Sequence, residues 1–278
     1  MVDEENASYD FEDRFSKLLG ASRETIRDAN QALLDVLMPG VRPESMPQIP
    51  VWRLHLGATS TFMGVLQCLS TRFSSLGAFS LLRGLIEAWT HLYFIADDSE
   101  PDTPAIRAIR FEAGVLYEWA SVDREMNQET DYDKLVKGHD KTILKLCIAN
   151  GRTTLPKHRT YKDVNRTLEK MAKSPALDRL ELLHTASSVA VHMSASDYLL
   201  ETTSTSVTVV WASPARRCAW LQMAIMCYDY LTISALNSVP NPKQNAIIKD
   251  LHARWQEIFY DPLLVSTVAQ EGGPSPRI

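Results

Sequence analysis

The sequence predicts an all-α protein, a single bundle of about eight helices. Three observations carry this. Apolar residues recur at spacings of three and four through most of the chain, Pro and Gly punctuate the polar stretches between them, and only one β-branched run, near 202–211, lacks helical period. The chain has 278 residues, 45% of them hydrophobic and 23% charged, enough for one conventional core, since a chain of about 300 residues buries roughly 75% of its unfolded surface.

The first helix is expected from Phe11 to about Met38, where Phe15, Leu18, Leu19, Ile26, Ala29, Leu33, Leu34 and Leu37 keep the 3.6-residue period, and Gly40 and Pro43 end it. Pro43, Pro47 and Pro50 each lack a backbone donor, so residues 41–50 are read as an extended connection, with helix resuming from Val51 to Arg72. Leu76 to Ala96 is apolar almost throughout and reads as the central, most buried helix. Asp97-Asp98-Ser99-Glu100 is a solvated turn, and Thr103-Pro104 caps and opens a helix to about Asn127. Tyr132 to Asn150 is a helix closed by Gly151, followed by an exposed cationic loop to Tyr161 and a shorter helix from Lys162 to Lys173.

Ser174-Pro175 opens a helix to about Met193, and Thr202 to Trp211 is either a short strand or an extended crossover. Ser213-Pro214 starts a long helix to Asn237, and Lys243 to Tyr260 makes the last one. Residues 1–264 are thus expected to form one helical domain, with 265–278, which hold Gly272, Gly273, Pro274 and Pro276, as a flexible tail.

Composition narrows the function. Lys and Arg number 29 against 34 Asp and Glu, a net charge of -5, which argues against a duplex-DNA binder because such proteins need a basic footprint to displace phosphate counterions. Cys68, Cys147, Cys218 and Cys227 stand far apart with no CxxC spacing, and read as buried thiols in a reducing cytoplasm. The start Met1-Val2-Asp3-Glu4-Glu5 is acidic, unlike a secretory leader, and Ala219 to Val239 carries Gln222 and Asp229 and reads as a core helix rather than a membrane span. No P-loop, GxGxxG, GxSxG or HExxH pattern occurs, so no cofactor or metal is implied. The cations Lys157, Arg159, Lys162, Arg166, Arg216 and Arg217 read as solvated surface, and the aromatic side chains, Trp119 among them, as core packing.

Two polar stripes break the apolar pattern. Arg83, Glu87 and His91 fall at i, i+4 and i+8 on the central helix, so they share one face, and charged groups within so apolar a helix must be paired. Arg83 with Glu87 one turn away is either a structural ion pair or an anion-binding Arg whose fork is oriented by a carboxylate. His184, Ser188 and His192 repeat the spacing on the Ala176 to Met193 helix, where imidazole could act as acid or base. The expected polar centre has Arg83 and Glu87 facing Ser188 and His192, with His184 at its edge and His91 further along.

The combination of R-x-x-x-E at Arg83 and Glu87 with H-x-x-x-S-x-x-x-H at His184, Ser188 and His192 resembles a family of bacterial all-helical proteins of unknown function, in which the second motif usually begins with Tyr. The resemblance implies a helical core and a shared polar centre, without an activity. More distantly, Arg179-Leu-Glu-Leu-Leu-His184 resembles the Arg-to-His spacing of the HEPN superfamily, although Leu180 stands where a polar residue is usual. That resemblance implies a metal-independent ribonuclease of a toxin or phage-defence system, with His184 deprotonating a 2′-hydroxyl and Arg179 steadying the phosphorane. The leading expectation is therefore a binder of an anionic small molecule or nucleotide-like group. The alternatives are such a ribonuclease acting on RNA and a noncatalytic homodimer in which both stripes only fix packing.

Overall fold

The computed structural model describes residues 11–39, 41, 45–71, 75–126, 131–173, 180, 184, 200–202, 207–209, 214–239 and 241–259. Eight helices stand among them: α1 (Phe11–Leu37), α2 (Gln48–Ser70), α3 (Ser75–Ala96), α4 (Pro104–Met126), α5 (Tyr132–Ala149), α6 (Tyr161–Ala172), α7 (Pro214–Asn237) and α8 (Gln244–Phe259). The protein is all-α in class, as its periodicity predicts. Leu180 and His184 have helical backbone, while the rest of the expected 176–193 helix and the 265–278 tail lie outside the described residues. Part of the β-branched run is a strand: β1 (Leu200–Thr202) pairs antiparallel with β2 (Val207–Val209), with Leu200 opposite Val209 and Thr202 opposite Val207.

Helix α3 is the centre, as its composition requires. It packs between α2 and α7, α1 lies against α7, and α8 closes over α1 and α7. Leu82, Leu85, Ile86, Trp89 and Leu92 of α3 are fully buried with Phe62 and Leu69 of α2 and Leu221, Ile225 and Tyr228 of α7. Trp89 stacks on Tyr230 at 5.3 Å, and Phe62 on Tyr228 at 4.7 Å. Truncating any of the large aliphatic side chains here to Ala would cost about 2–5 kcal/mol through lost transfer energy and the cavity left behind. A buried polar line also crosses this core: His55 Nε2 lies 3.1 Å from Thr232 Oγ1, and Thr59 Oγ1 lies 2.8 Å from Tyr228 Oη. Polar side chains on α2 and α7 thereby satisfy one another, as buried polar groups must.

The α4–α5 hairpin stands beside this core with a small apolar cluster of its own, built from Ile106, Ile109, Ala113, Ile143 and Cys147. Thr103 Oγ1 accepts from the Ile106 amide at 3.3 Å, the N-cap that Thr103-Pro104 predicts. Gly151 takes φ 80, and the Arg152 amide reaches back to the Cys147 carbonyl at 2.9 Å, which closes α5 in the left-handed manner glycine allows.

Several expectations are corrected. Helix α2 begins at Gln48 rather than Val51, because first-turn amides have no intrahelical acceptor and Pro50 there loses nothing. Trp119 is 67% exposed, on the outer part of α4 that its small cluster does not reach. Arg217 is buried, with Nη2 donating to both oxygens of Glu12 at 2.6 and 2.8 Å and the guanidinium 4.6 Å from the centre of the Phe15 ring. The 152–160 connection is exposed only in part: Pro156 and Arg159 are buried, and the Arg159 amide donates to the Arg110 carbonyl at 3.0 Å. Lys157 on this connection and Arg166 on α6 do face solvent.

Candidate functional site: a charged stripe on the central helix

Helix α3 packs against α2 and α7 and also meets α4 and α6, and the polar stripe Arg83, Glu87 and His91 lines a cavity beside α4 and the start of α6. Arg83 Nε donates to Glu87 Oε1 at 2.7 Å, and both side chains are half-buried, at 20% and 36% exposure. His184 is buried, and its Nε2 stands 3.6 Å from the same oxygen. Glu87 Oε1 thus lies between a guanidinium and an imidazole. These two hold the carboxyl below the usual range, His184 foremost, against the opposing effect of burial.

One turn further, His91 Nδ1 accepts from Arg159 Nε at 3.2 Å, and the imidazole lies against Phe111 at 4.8 Å. An imidazole that accepts at Nδ1 is neutral and carries its proton on Nε2. Burial first, and the Arg159 charge second, push the His91 pKa down to about 3. Arg159 also donates from Nη2 to Thr167 Oγ1 at 2.9 Å, and its guanidinium lies 4.1 Å from the centre of the Phe94 ring. Burial lowers its pKa to about 10, which leaves it cationic at neutral pH.

What brings Arg159 here is a close approach of backbones. A Cβ on Gly114 would stand 2.6 Å from the Arg159 carbonyl oxygen, so α4 offers a surface without a side chain just where the connection crosses it. Arg110 Nε holds the same connection by donating to the Lys157 carbonyl at 2.9 Å. Immediately after, the Asp163 carboxylate accepts from the Thr160 amide and hydroxyl at 2.9 and 2.7 Å, starting α6 and answering the positive end of that helix from within.

Between α3, α4 and the start of α6 these residues line an open cavity of 270 Å³. Arg83, Glu87, His91 and Arg159 give its polar wall, Phe111 and Val115 an apolar one, and Glu118 stands exposed at its rim. Among the described residues Arg83 engages only Glu87, through Nε, so the two terminal amines of its fork have no described partner. A second hollow, of 470 Å³, lies between the end of α1 and the start of α8, and the charged groups that line it among the described residues, Asp35 and Lys243, are solvated. Buried ionised groups, which are costly to keep, distinguish the cavity on α3.

The structure therefore brings Arg83, Glu87 and His91 together on one cavity wall and sets the His184 imidazole beside Glu87. Ser188, His192 and Arg179 lie outside the described residues. Sequence reasoning missed Arg159, Phe111 and Gly114 as parts of this wall. A cation just after Pro156 and just before a Thr-x-x-Asp helix start was the one available signal for Arg159. No group of three or more His, Cys, Asp or Glu that could hold a metal ion occurs among the described residues, and no described helix is long and apolar enough to cross a membrane. Neither protein-family models, curated proteins nor solved structures give a match to this chain.

Proposed function

We propose that the protein binds a small anionic molecule, a carboxylate or a phosphate ester, in the cavity on α3, with Arg83 as the principal charge. One observation carries this reading: Arg83 is tied through Nε to Glu87, which leaves the two parallel donors at the end of its fork for a ligand at the cavity wall. Such a fork matches the spacing of carboxylate and phosphate oxygens. His91, neutral with its proton on Nε2, adds a donor without the cost of a second bare charge. The volume of 270 Å³ lies below the range of about 300–1,000 Å³ usual for drug-sized ligands, which favours a compact ligand over a whole nucleotide.

The ribonuclease reading requires His184 to reach an RNA 2′-hydroxyl. Its burial and its place beside Glu87 support the binding reading better.

The test is thermal unfolding of the full chain in the presence of inorganic phosphate and of a series of mono- and dicarboxylates. A ligand at a hundredfold excess over its Kd stabilises the folded state by about 2.7 kcal/mol. The rise in Tm should occur in the wild type and vanish in Arg83→Gln that retains a native circular dichroism spectrum. If none of these anions raises the wild-type Tm, or if Arg83→Gln keeps the full response, the reading fails.

A further inference from the structure

We infer that the ligand of this cavity is zwitterionic, a free amino acid or a molecule with the same paired charges, bound by Arg83 at its carboxylate and by Glu87 and Glu118 at its amine. This rests on the anion-binding reading and names its substrate class. The cavity wall is of mixed sign, which a site for a simple anion has no need to be. Two carboxylates line it beside Arg83, and negative charge near a bound anion weakens binding unless the ligand itself brings a cation to meet it.

The two carboxylates differ in how they are held. Glu87 offers Oε1 to Arg83 and faces His184 with the same atom, so Oε2 is the oxygen left for an ammonium group. Glu118 is exposed at the rim, two turns along α4 from Phe111, and no ion-pair partner for it stands among the described residues. Donor and acceptor therefore stand one turn apart on α3 at Arg83 and Glu87, and Glu118 lines the same cavity from α4. Phe111, Val115 and Val164 supply an apolar wall against which a short hydrocarbon side chain would lose its hydration.

The experiment is isothermal titration of the full chain with the twenty standard amino acids singly, followed by the N-acetyl and deaminated analogues of whichever binds, and by inorganic phosphate. The expected result is saturable binding of at least one free amino acid, at least tenfold weaker binding of its N-acetyl and deaminated forms, and a similar loss in Glu118→Gln. That variant changes an exposed side chain and should keep the wild-type Tm. If the deaminated carboxylate or phosphate binds as well as the amino acid, the zwitterion inference is overturned and the anion reading stands. If neither amino acids, carboxylates nor phosphate bind, both are overturned.

Discussion

Arg159 donates from Nε to Nδ1 of His91 across 3.2 Å, and this bond sets the chemistry of the α3 wall. Nδ1 must present its lone pair, so the proton of the neutral ring sits on Nε2. The same guanidinium reaches Thr167 and covers Phe94, so one side chain ties the 152–160 connection to α3 and α6 at once. Replacing Arg159 by Ala should cost about 2–4 kcal/mol, because His91 and Thr167 lose a donor in a buried place and the Phe94 face loses its cover. Arg159→Lys keeps the charge but not the fork and should recover less than half of that loss. Urea unfolding midpoints measure both, and nitrogen-15 NMR of the imidazoles should report a single Nε2–H form for His91 in the wild type that Arg159→Ala releases. An Arg159→Ala protein as stable as the wild type would contradict this account.

Gly114 predicts a reversal of the ordinary helix rule. Gly to Ala within a helix usually gains up to about 1 kcal/mol. At position 114 the new Cβ would meet the Arg159 carbonyl oxygen at 2.6 Å, a backbone atom that cannot rotate away, so Gly114→Ala should destabilise by about 1–3 kcal/mol. Gly138, on the open face of α5, has nothing within 4 Å of the same atom, and Gly138→Ala should stabilise by about 0.5–1 kcal/mol. Paired thermal melts decide this, and a stabilising Gly114→Ala would mean that the connection does not lie on α4 as described.

These two residues also mark the limit of what the sequence discloses. The α3 stripe was legible because Arg83, Glu87 and His91 lie on one helix, where spacing alone places them on a face. Helix starts at Pro104 and Pro214 and the stop at Gly151 were legible because they depend on local backbone chemistry. Arg159 and Arg217 read as surface because a run of cations gives no sign of which member folds inward. Their burial is decided by Phe94, His91, Phe15 and Glu12, residues 65 or more positions away in the chain. Gly114 was silent for the same reason, since a close approach belongs to two segments and not to either. Trp119 misled because helical spacing marks a face without saying whether anything covers it.

The pH dependence follows from two histidines kept neutral. His55 and His91 are each lowered from 6.5 to about 3, mainly by burial. Between these values the unfolded chain binds protons that the folded one refuses. The stabilisation is therefore fully present above pH 6.5 and falls as the pH drops towards 3, with a slope approaching about 1.4 kcal/mol per pH unit for each histidine. Denaturant midpoints taken from pH 7 to pH 5 should fall accordingly. In His55→Asn, which keeps a polar group for Thr232, the slope over that interval should drop by about one histidine's share. An unchanged slope would show that His55 takes up a proton in the folded state.

Glu87 behaves in the complementary way at lower pH. Its folded pKa is below the ordinary value of 4.5, held there first by His184 and then by Arg83. The folded state therefore favours the ionised carboxylate more than the unfolded state does. This contribution is present above pH 4.5 and is lost as the pH falls through the lowered folded value. Glu87→Gln should be less stable than the wild type at pH 7, and the gap should narrow as both are taken from pH 5 to pH 3. The pair with Arg83 is half solvated, so a double-mutant cycle of Arg83→Gln and Glu87→Gln should give a coupling near the lower end of about 0.5–3 kcal/mol. A gap that stays constant from pH 7 to pH 3 would mean that packing, and not the charge of Glu87, is what Glu87→Gln removes. Arg83 and His184 would then contribute nothing to holding Glu87 ionised, and the stripe would act on α3 as a register device.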